Sequence, residues 1–209
     1  MNSPRQLIEG FQRFRERHFA QGSVQFQDLV EFGQAPKTLV VACCDSRVDP
    51  ALVLDCAPGD LFVIRNVANL VPPSETQGHY HGTSAALEFG VRNLEVQHII
   101  VLGHAHCGGI HALLEHSVEK DETFISEWMG IADAALERVE RDYAESSSEV
   151  RHRACEQQAI LVSLENLMTF SWISERVRQG RLTLHGWYFD IEHGELLGYD
   201  TTSHRFEAL

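Results

Sequence analysis

The chain has 209 residues, enough to bury a substantial core, and 44% of them are hydrophobic. With 17 Lys and Arg against 30 Asp and Glu, its formal charge is −13, which argues against nucleic acid and anionic membranes as partners. No apolar run approaches the roughly 18–20 residues that cross a bilayer, and Glu9, Arg13, Arg15 and Glu16 interrupt the N-terminus where an export signal needs an apolar core.

Residues 4–18 carry Leu7, Phe11 and Phe14 at helical spacing and predict an amphipathic helix. A second short helix covers about 25–32, and Gly33-Gln34-Ala35-Pro36 is a loop before a buried strand, Thr38–Ala42. Asp49-Pro50 starts a short helix that ends near Ala57-Pro58-Gly59, and Leu61–Ile64 is the next strand. Arg65 through Pro72-Pro73 to Gly82 reads as a long loop. From Thr83 a helix presents Leu87, Val91 and Leu94 on one face; the strand His98–Leu102 follows, and Ile110–His116 is a helix. Residues 121–142 predict an acidic amphipathic helix with Phe124, Trp128, Ile131 and Ala135 inward. After Ser146-Ser147-Ser148 another helix runs to about Phe170, with Leu161, Leu164 and Met168 along its core side. Ser171–Gln179 is a last short helix closed by Gly180. Leu182–Asp190 is a strand, and Glu192-His193-Gly194-Glu195 a hairpin turn into Leu196–Tyr199.

No repeat, low-complexity tract or boundary divides the chain, so residues 1–209 are expected to form a single domain. Strands separated by helices predict an α/β fold, a central mainly parallel sheet flanked by helices, with a late hairpin adding an antiparallel edge strand. Five cysteines, an odd number at irregular spacing, read as reduced thiols and point to the cytoplasm.

Two strands end in residues that carry chemistry. Val40-Val41-Ala42 runs into Cys43-Cys44-Asp45-Ser46-Arg47, and His98–Leu102 runs into Gly103-His104-Ala105-His106-Cys107-Gly108-Gly109. If the backbone stays extended past Ala42, Cys43, Asp45 and Arg47 share one face, and Cys44 points away into a buried position. Cys43 alone would be a buried strand-end cysteine. Together with His104 and Cys107 it makes three zinc ligands with the fourth position left for water. Two thiolates neutralise the metal's formal charge, so the protein must help hold a hydroxide. Asp45 is placed to accept its hydrogen bond, and Arg47 to keep Asp45 ionised and aimed. The set suits attack on a small electrophilic carbon.

Cys-x-Asp-Ser-Arg followed by Gly-His-x-x-Cys-Gly-Gly resembles the β-class carbonic anhydrases. The resemblance continues through Phe62-Val63-Ile64-Arg65-Asn66-Val67-Ala68-Asn69 and His185-Gly186-Trp187, and spans Gln34 to about Asp190. It implies reversible hydration of carbon dioxide to bicarbonate and a proton by zinc-bound hydroxide, and hence a part in carbon utilization. It assigns the zinc of each subunit to Cys43, His104 and Cys107, and a dyad to Asp45 and Arg47. Gln34 falls where the family has an amide donor to substrate, and Phe62 and Val67 where a neighbouring subunit supplies apolar walls. Phe89 stands where a tyrosine is usual, so that phenol's hydrogen bond is lost. The resemblance also implies a dimer or tetramer in which residues 1–33 form a helical arm on a partner subunit.

Some bacterial members of the family close the site by swinging the dyad aspartate onto zinc. Val40 and Phe189 stand where those members carry a tryptophan and a tyrosine, and Arg65 to Pro73 is more like the open, plant-type members. Asp45 is therefore expected to stay on Arg47. His79, His81 and His106 are candidates for relaying the product proton, and His106 could instead steady its loop. Cys56 and Cys155 read as buried spectators. A same-fold alternative is hydrolysis of a carbon dioxide analogue such as carbon disulfide. A different one is a zinc and thiol module that senses oxidants, which would need neither Asp45 nor Arg47.

Overall fold

The computed structural model describes residues 3–19, 24–75, 81–115 and 123–209. The strands are β1 Thr38–Cys43, β2 Leu61–Asn66, β3 His98–His104, β4 Thr183–Asp190, β5 Glu195–Asp200 and β6 Arg205–Ala208. They form one sheet in the order β2-β1-β3-β4-β5-β6, with the first four parallel and the last two antiparallel. β1 and β3 are apolar on both faces, as strands covered on both sides must be. Leu39 and Val41 pack with Ile99 and Val101 on one face, and Val40 and Ala42 with Ile100 and Leu102 on the other.

The helices are α1 Pro4–Phe19, α2 Val24–Phe32, α3 Pro50–Val53, α4 Gly82–Glu88, α5 Gly108–Leu114, α6 Phe124–Met129, α7 Asp133–Asp142, α8 Ser148–Leu167 and α9 Ser171–Arg178. Asp49 caps α3 by accepting from Ala51 N and Leu52 N, with Pro50 in the first turn, as its sequence suggests. α8 carries Ile160 and Leu167 into the cluster around Leu39 and Val101. Its residues Ala154, Cys155, Ala159 and Val162 enter a second cluster that surrounds Cys43 and Cys107. The site therefore rests on the same helix that covers the sheet.

Several expectations are corrected. The predicted helix over 121–142 is α6, a 3₁₀ turn at Gly130–Ala132 and α7; residues 121 and 122 lie outside those described. Phe124 is 97% exposed rather than inward, and Met129 takes the buried position. In α8 the buried line is Ile160, Ser163 and Leu167, whereas Met168 is exposed and Leu161 and Leu164 are half-buried. The helix packs against both the sheet and α7, so its buried surface is wider than a single amphipathic stripe. The helix after Thr83 stops at Glu88 and continues as a π turn, Phe89–Asn93, which keeps Leu87 and Val91 buried. Within the predicted loop after Arg65, Val67–Asn69 forms a 3₁₀ turn. β6 was not expected, because its short run of Arg205, Phe206, Glu207 and Ala208 has little apolar alternation.

α1 buries none of its residues, and Leu7, Ile8 and Phe11 are exposed along it. α1 and α2 are joined by aromatic contacts, Phe14 with Phe26 at 5.7 Å and Phe19 with Phe26 at 4.9 Å between ring centroids.

Candidate metal centre

β1 and β3 are parallel neighbours with Ala42 opposite Leu102, so they end at the same level of the sheet. Cys43 closes β1 and His104 closes β3. His106, in the left-handed region at φ 59°, then turns the chain so that Cys107 stands at the N-cap of α5. One ligand atom from each of Cys43, His104 and Cys107 can be chosen so that all lie within 4.8 Å of one another, and all three residues are buried. Open parallel sheets place sites at this edge.

The donor set fits zinc. The two sulfurs are 4.0 Å apart, against about 3.8 Å expected for two thiolates on a tetrahedral zinc. His104 Nδ1 donates to the Ala105 carbonyl at 2.8 Å, which leaves the Nε2 lone pair free. Nε2 is buried without a hydrogen-bond partner, an arrangement that costs stability unless something binds there. The two thiols share a hydrogen bond in which either can donate; this coupling holds Cys43 below its ordinary value and, with burial, pushes Cys107 up. A second thiolate beside the first therefore needs a cation between them.

Asp45 and Arg47 come together by a different route from the one expected. β1 ends at Cys43 and the chain turns at Ser46-Arg47, so side-chain alternation does not continue. The turn is closed by the carboxylate itself: Asp45 Oδ1 accepts from Arg47 N and Arg47 Nε, both at 2.9 Å, and Oδ2 accepts from Arg47 Nη2 at 2.7 Å. Arg47 Nη2 also donates to the His106 carbonyl at 3.0 Å, joining the two ligand-bearing loops. The guanidinium holds the Asp45 carboxyl well below the usual carboxylate range. In this structure both Asp45 carboxylate oxygens are engaged by Arg47. Cys44 is exposed rather than buried, because the strand has ended before it. Cys155 is buried as expected, and Cys56 is partly so.

Two further residues brace the site. Arg65 Nε donates to the Cys43 carbonyl at 2.9 Å, Nη2 to the Asp45 carbonyl at 2.7 Å, and Nη1 to Asp49 Oδ2 at 2.9 Å. Glu156, buried on α8, accepts from Cys107 N at 3.0 Å and from the Tyr188 hydroxyl at 2.7 Å. Burial pushes its carboxyl up. Arg65 was visible only as part of a motif, and Glu156 only as one acidic residue in a helix that has several.

Gln34 is exposed in the α2–β1 loop. Phe62 and Phe89 pack together at 5.9 Å between ring centroids, with Phe89 45% and Val67 37% exposed. His106 Nε2 lies 3.0 Å from Glu192 Oε1, which steadies its loop; His81 is exposed, and His79 falls outside the described residues.

A parallel α/β sheet with two cysteines and a histidine converging at its carboxyl edge defines a zinc enzyme site of the α/β class. The family model described as carbonic anhydrase matches residues 38–196. A carbonic anhydrase of Synechocystis sp. is 39% identical over 203 residues, 97% of this chain and 73% of that protein. Chloroplastic β carbonic anhydrase 5 of Arabidopsis thaliana is 42% identical over 88% of this chain, which spans 61% of that longer protein. Among solved structures, the β-carbonic anhydrase CcaA superposes with a TM-score of 0.91 at 39% identity, covering 98% of this chain and 91% of that one. A structure from a study of two tetrameric β-carbonic anhydrases of Sordaria macrospora gives 0.72 at 29% identity, covering 92% and 91%. The chain belongs to the β-class carbonic anhydrases, zinc-dependent lyases that hydrate carbon dioxide.

Proposed function

We propose that Cys43, His104 and Cys107 hold the zinc and that Asp45 and Arg47 manage the group in its fourth position during reversible hydration of carbon dioxide. The observation that carries this reading is the two-pronged grip of Arg47 on Asp45 beside the paired sulfurs. Zinc on this donor set supplies Lewis acidity, which makes a hydroxide nucleophile available near neutral pH. Asp45, kept ionised, only accepts hydrogen bonds, so it favours a proton-bearing nucleophile and orients it. Arg47 fixes the carboxylate with two side-chain hydrogen bonds. Arg65 holds the carbonyls of Cys43 and Asp45, so the loop need not reorganise during turnover. Phe62, Val67 and Phe89 are exposed or half-exposed and suit a dry wall for an apolar gas, and Gln34 a donor to a product oxygen.

We place Phe62 and Val67 at the site of a neighbouring subunit. The uncovered apolar face of α1 supports an arm, residues 1–33, that packs on a partner around a single-domain body. The structure from Sordaria macrospora described as tetrameric is consistent with self-association. Five free cysteines fit a reducing compartment, and we infer a cytoplasmic enzyme of carbon utilization. Among the described residues no helix is long and apolar enough to cross a membrane.

Stopped-flow hydration of carbon dioxide, with zinc content measured on the same samples, tests the reading. Activity should follow zinc and vanish on stripping, and Asp45→Asn should keep its zinc but lose about tenfold or more in turnover. Full turnover in that variant would remove Asp45 from the mechanism.

A further inference from the structure

Two features mark His104 as a ligand: an Nδ1 held by a backbone carbonyl and a buried Nε2 without a partner. Both recur at His152. In the first turns of α8, His152 Nδ1 donates to the Ser148 carbonyl at 2.8 Å, which leaves the lone pair on Nε2. The Nε2 atom is buried and has no hydrogen-bond partner among the described residues. What it meets is Glu115, whose Oε1 lies 3.4 Å away. A lone pair and a carboxylate oxygen set against each other repel, and a cation between them removes the conflict.

α5 supplies the rest. Glu115 is its C-cap and follows His111 by four residues, so the two share one face of the helix. His111 lies against His152, with ring centroids 4.5 Å apart and an interplanar angle of 15°. Two atoms bound to one divalent cation at about 2.0–2.1 Å stand roughly 3.0–3.4 Å apart, and neighbouring imidazoles on it have centres roughly 4.5–5 Å apart. The Nε2–Oε1 and ring separations both fall in those ranges. His152 and Glu115 have already converged, and the exposed ring of His111 has to turn to bring a nitrogen to the same point. Both histidines line a cavity of about 320 Å³ with Glu149 and Glu156, which gives a hydrated cation room to enter. Arg153 lines it too but is paired with Asp190. The group at Asp190, Glu192 and His193 is the weaker candidate, because Asp190 already has Arg153, His193 and two amides as partners.

We propose that His111, Glu115 and His152 form a second divalent-metal site, apart from Cys43, His104 and Cys107, for a cation that favours imidazole, such as zinc, cobalt or nickel. Two imidazoles and one carboxylate leave such a cation open positions for water. Bound there, it ties α5 to α8, the helices on either side of Cys107. The Cys107 carbonyl accepts from His111 N at 2.9 Å, and Cys107 N donates to Glu156 on α8 at 3.0 Å. One turn of helix therefore separates the second site from the first.

Cobalt(II) added to the zinc-loaded protein tests this without reference to turnover. A second equivalent should bind while the zinc content stays unchanged. Its spectrum should show weak visible bands and lack the sulfur-to-cobalt charge-transfer band that cobalt on Cys43 and Cys107 would give. His111→Ala, Glu115→Gln and His152→Ala should each weaken this binding about tenfold or more. The rise in melting temperature that the metal gives the unaltered protein should shrink with it. His193→Ala and His185→Ala, at the other histidine groups, are controls and should bind as the unaltered protein does. The proposal is overturned if no second equivalent binds, if any of the three variants holds it at the parental affinity, or if a control loses it. A sulfur band on adding cobalt overturns it too, since that puts the metal on the cysteines. His111 and Glu115 are exposed, so their variants keep the fold and decide the question even if His152→Ala does not.

Discussion

At the residue, each ligand's surroundings are made by backbone that the sequence fixes nearby, and by two side chains that come from far away. Cys43→Ala, His104→Ala and Cys107→Ala should each lose zinc, since every one removes a third of the donor set; metal analysis after dialysis checks this, and full occupancy in any of them would displace that ligand. Glu156→Ala leaves the Cys107 amide without its buried acceptor. It should weaken zinc affinity about 10-fold by chelator competition. The ligands and the dyad were legible in the sequence because their residue types and spacing are specific to metal chemistry. Glu156 was not, because one glutamate on a long helix looks like a solvated surface group until packing turns it inward. Asp45 and Arg47 were found for a partly wrong reason: an Asx-type turn, not an extended strand, joins them.

At the level of elements, hydrophobic period and capping located the parallel strands and most helices. What it missed was which face of a doubly covered helix is deepest. Leu167→Ala should cost about 2–5 kcal/mol of stability, and Met168→Ala, one residue on and exposed, close to nothing; urea unfolding of both checks the corrected register. The β4–β5 turn is organised by Asp190, which accepts from the amides of Glu192 and His193 and pairs with His193 and Arg153. Burial opposes its charge, yet these partners prevail and hold the carboxyl below its ordinary value. The folded protein thus binds that proton more weakly than the unfolded chain. The resulting stability is complete above the unfolded carboxylate value and is lost as pH falls through the folded one. Asp190→Asn should therefore flatten the fall in stability between about pH 5 and about pH 3. An unchanged slope would show that other carboxylates carry it.

For the whole molecule, the proposed association of copies is tested at the exposed apolar face of α1. Phe11→Asp, in the exposed face of α1, should shift sedimentation toward monomer. If Phe62 and Val67 wall a neighbour's site, hydration activity should fall with association while zinc content stays whole. A variant that remained fully associated would mean that the arm's apolar face is not the contact. Assembly was only partly legible, because a single sequence gives an apolar face without its cover.

The account turns on Asp45 belonging to Arg47 and not to the metal. A crystal structure of the zinc-loaded protein near neutral pH tests this most directly. It should place the metal on Cys43, His104 and Cys107, with both Asp45 oxygens still on the Arg47 guanidinium. An Asp45 oxygen among the atoms bound to zinc would contradict it.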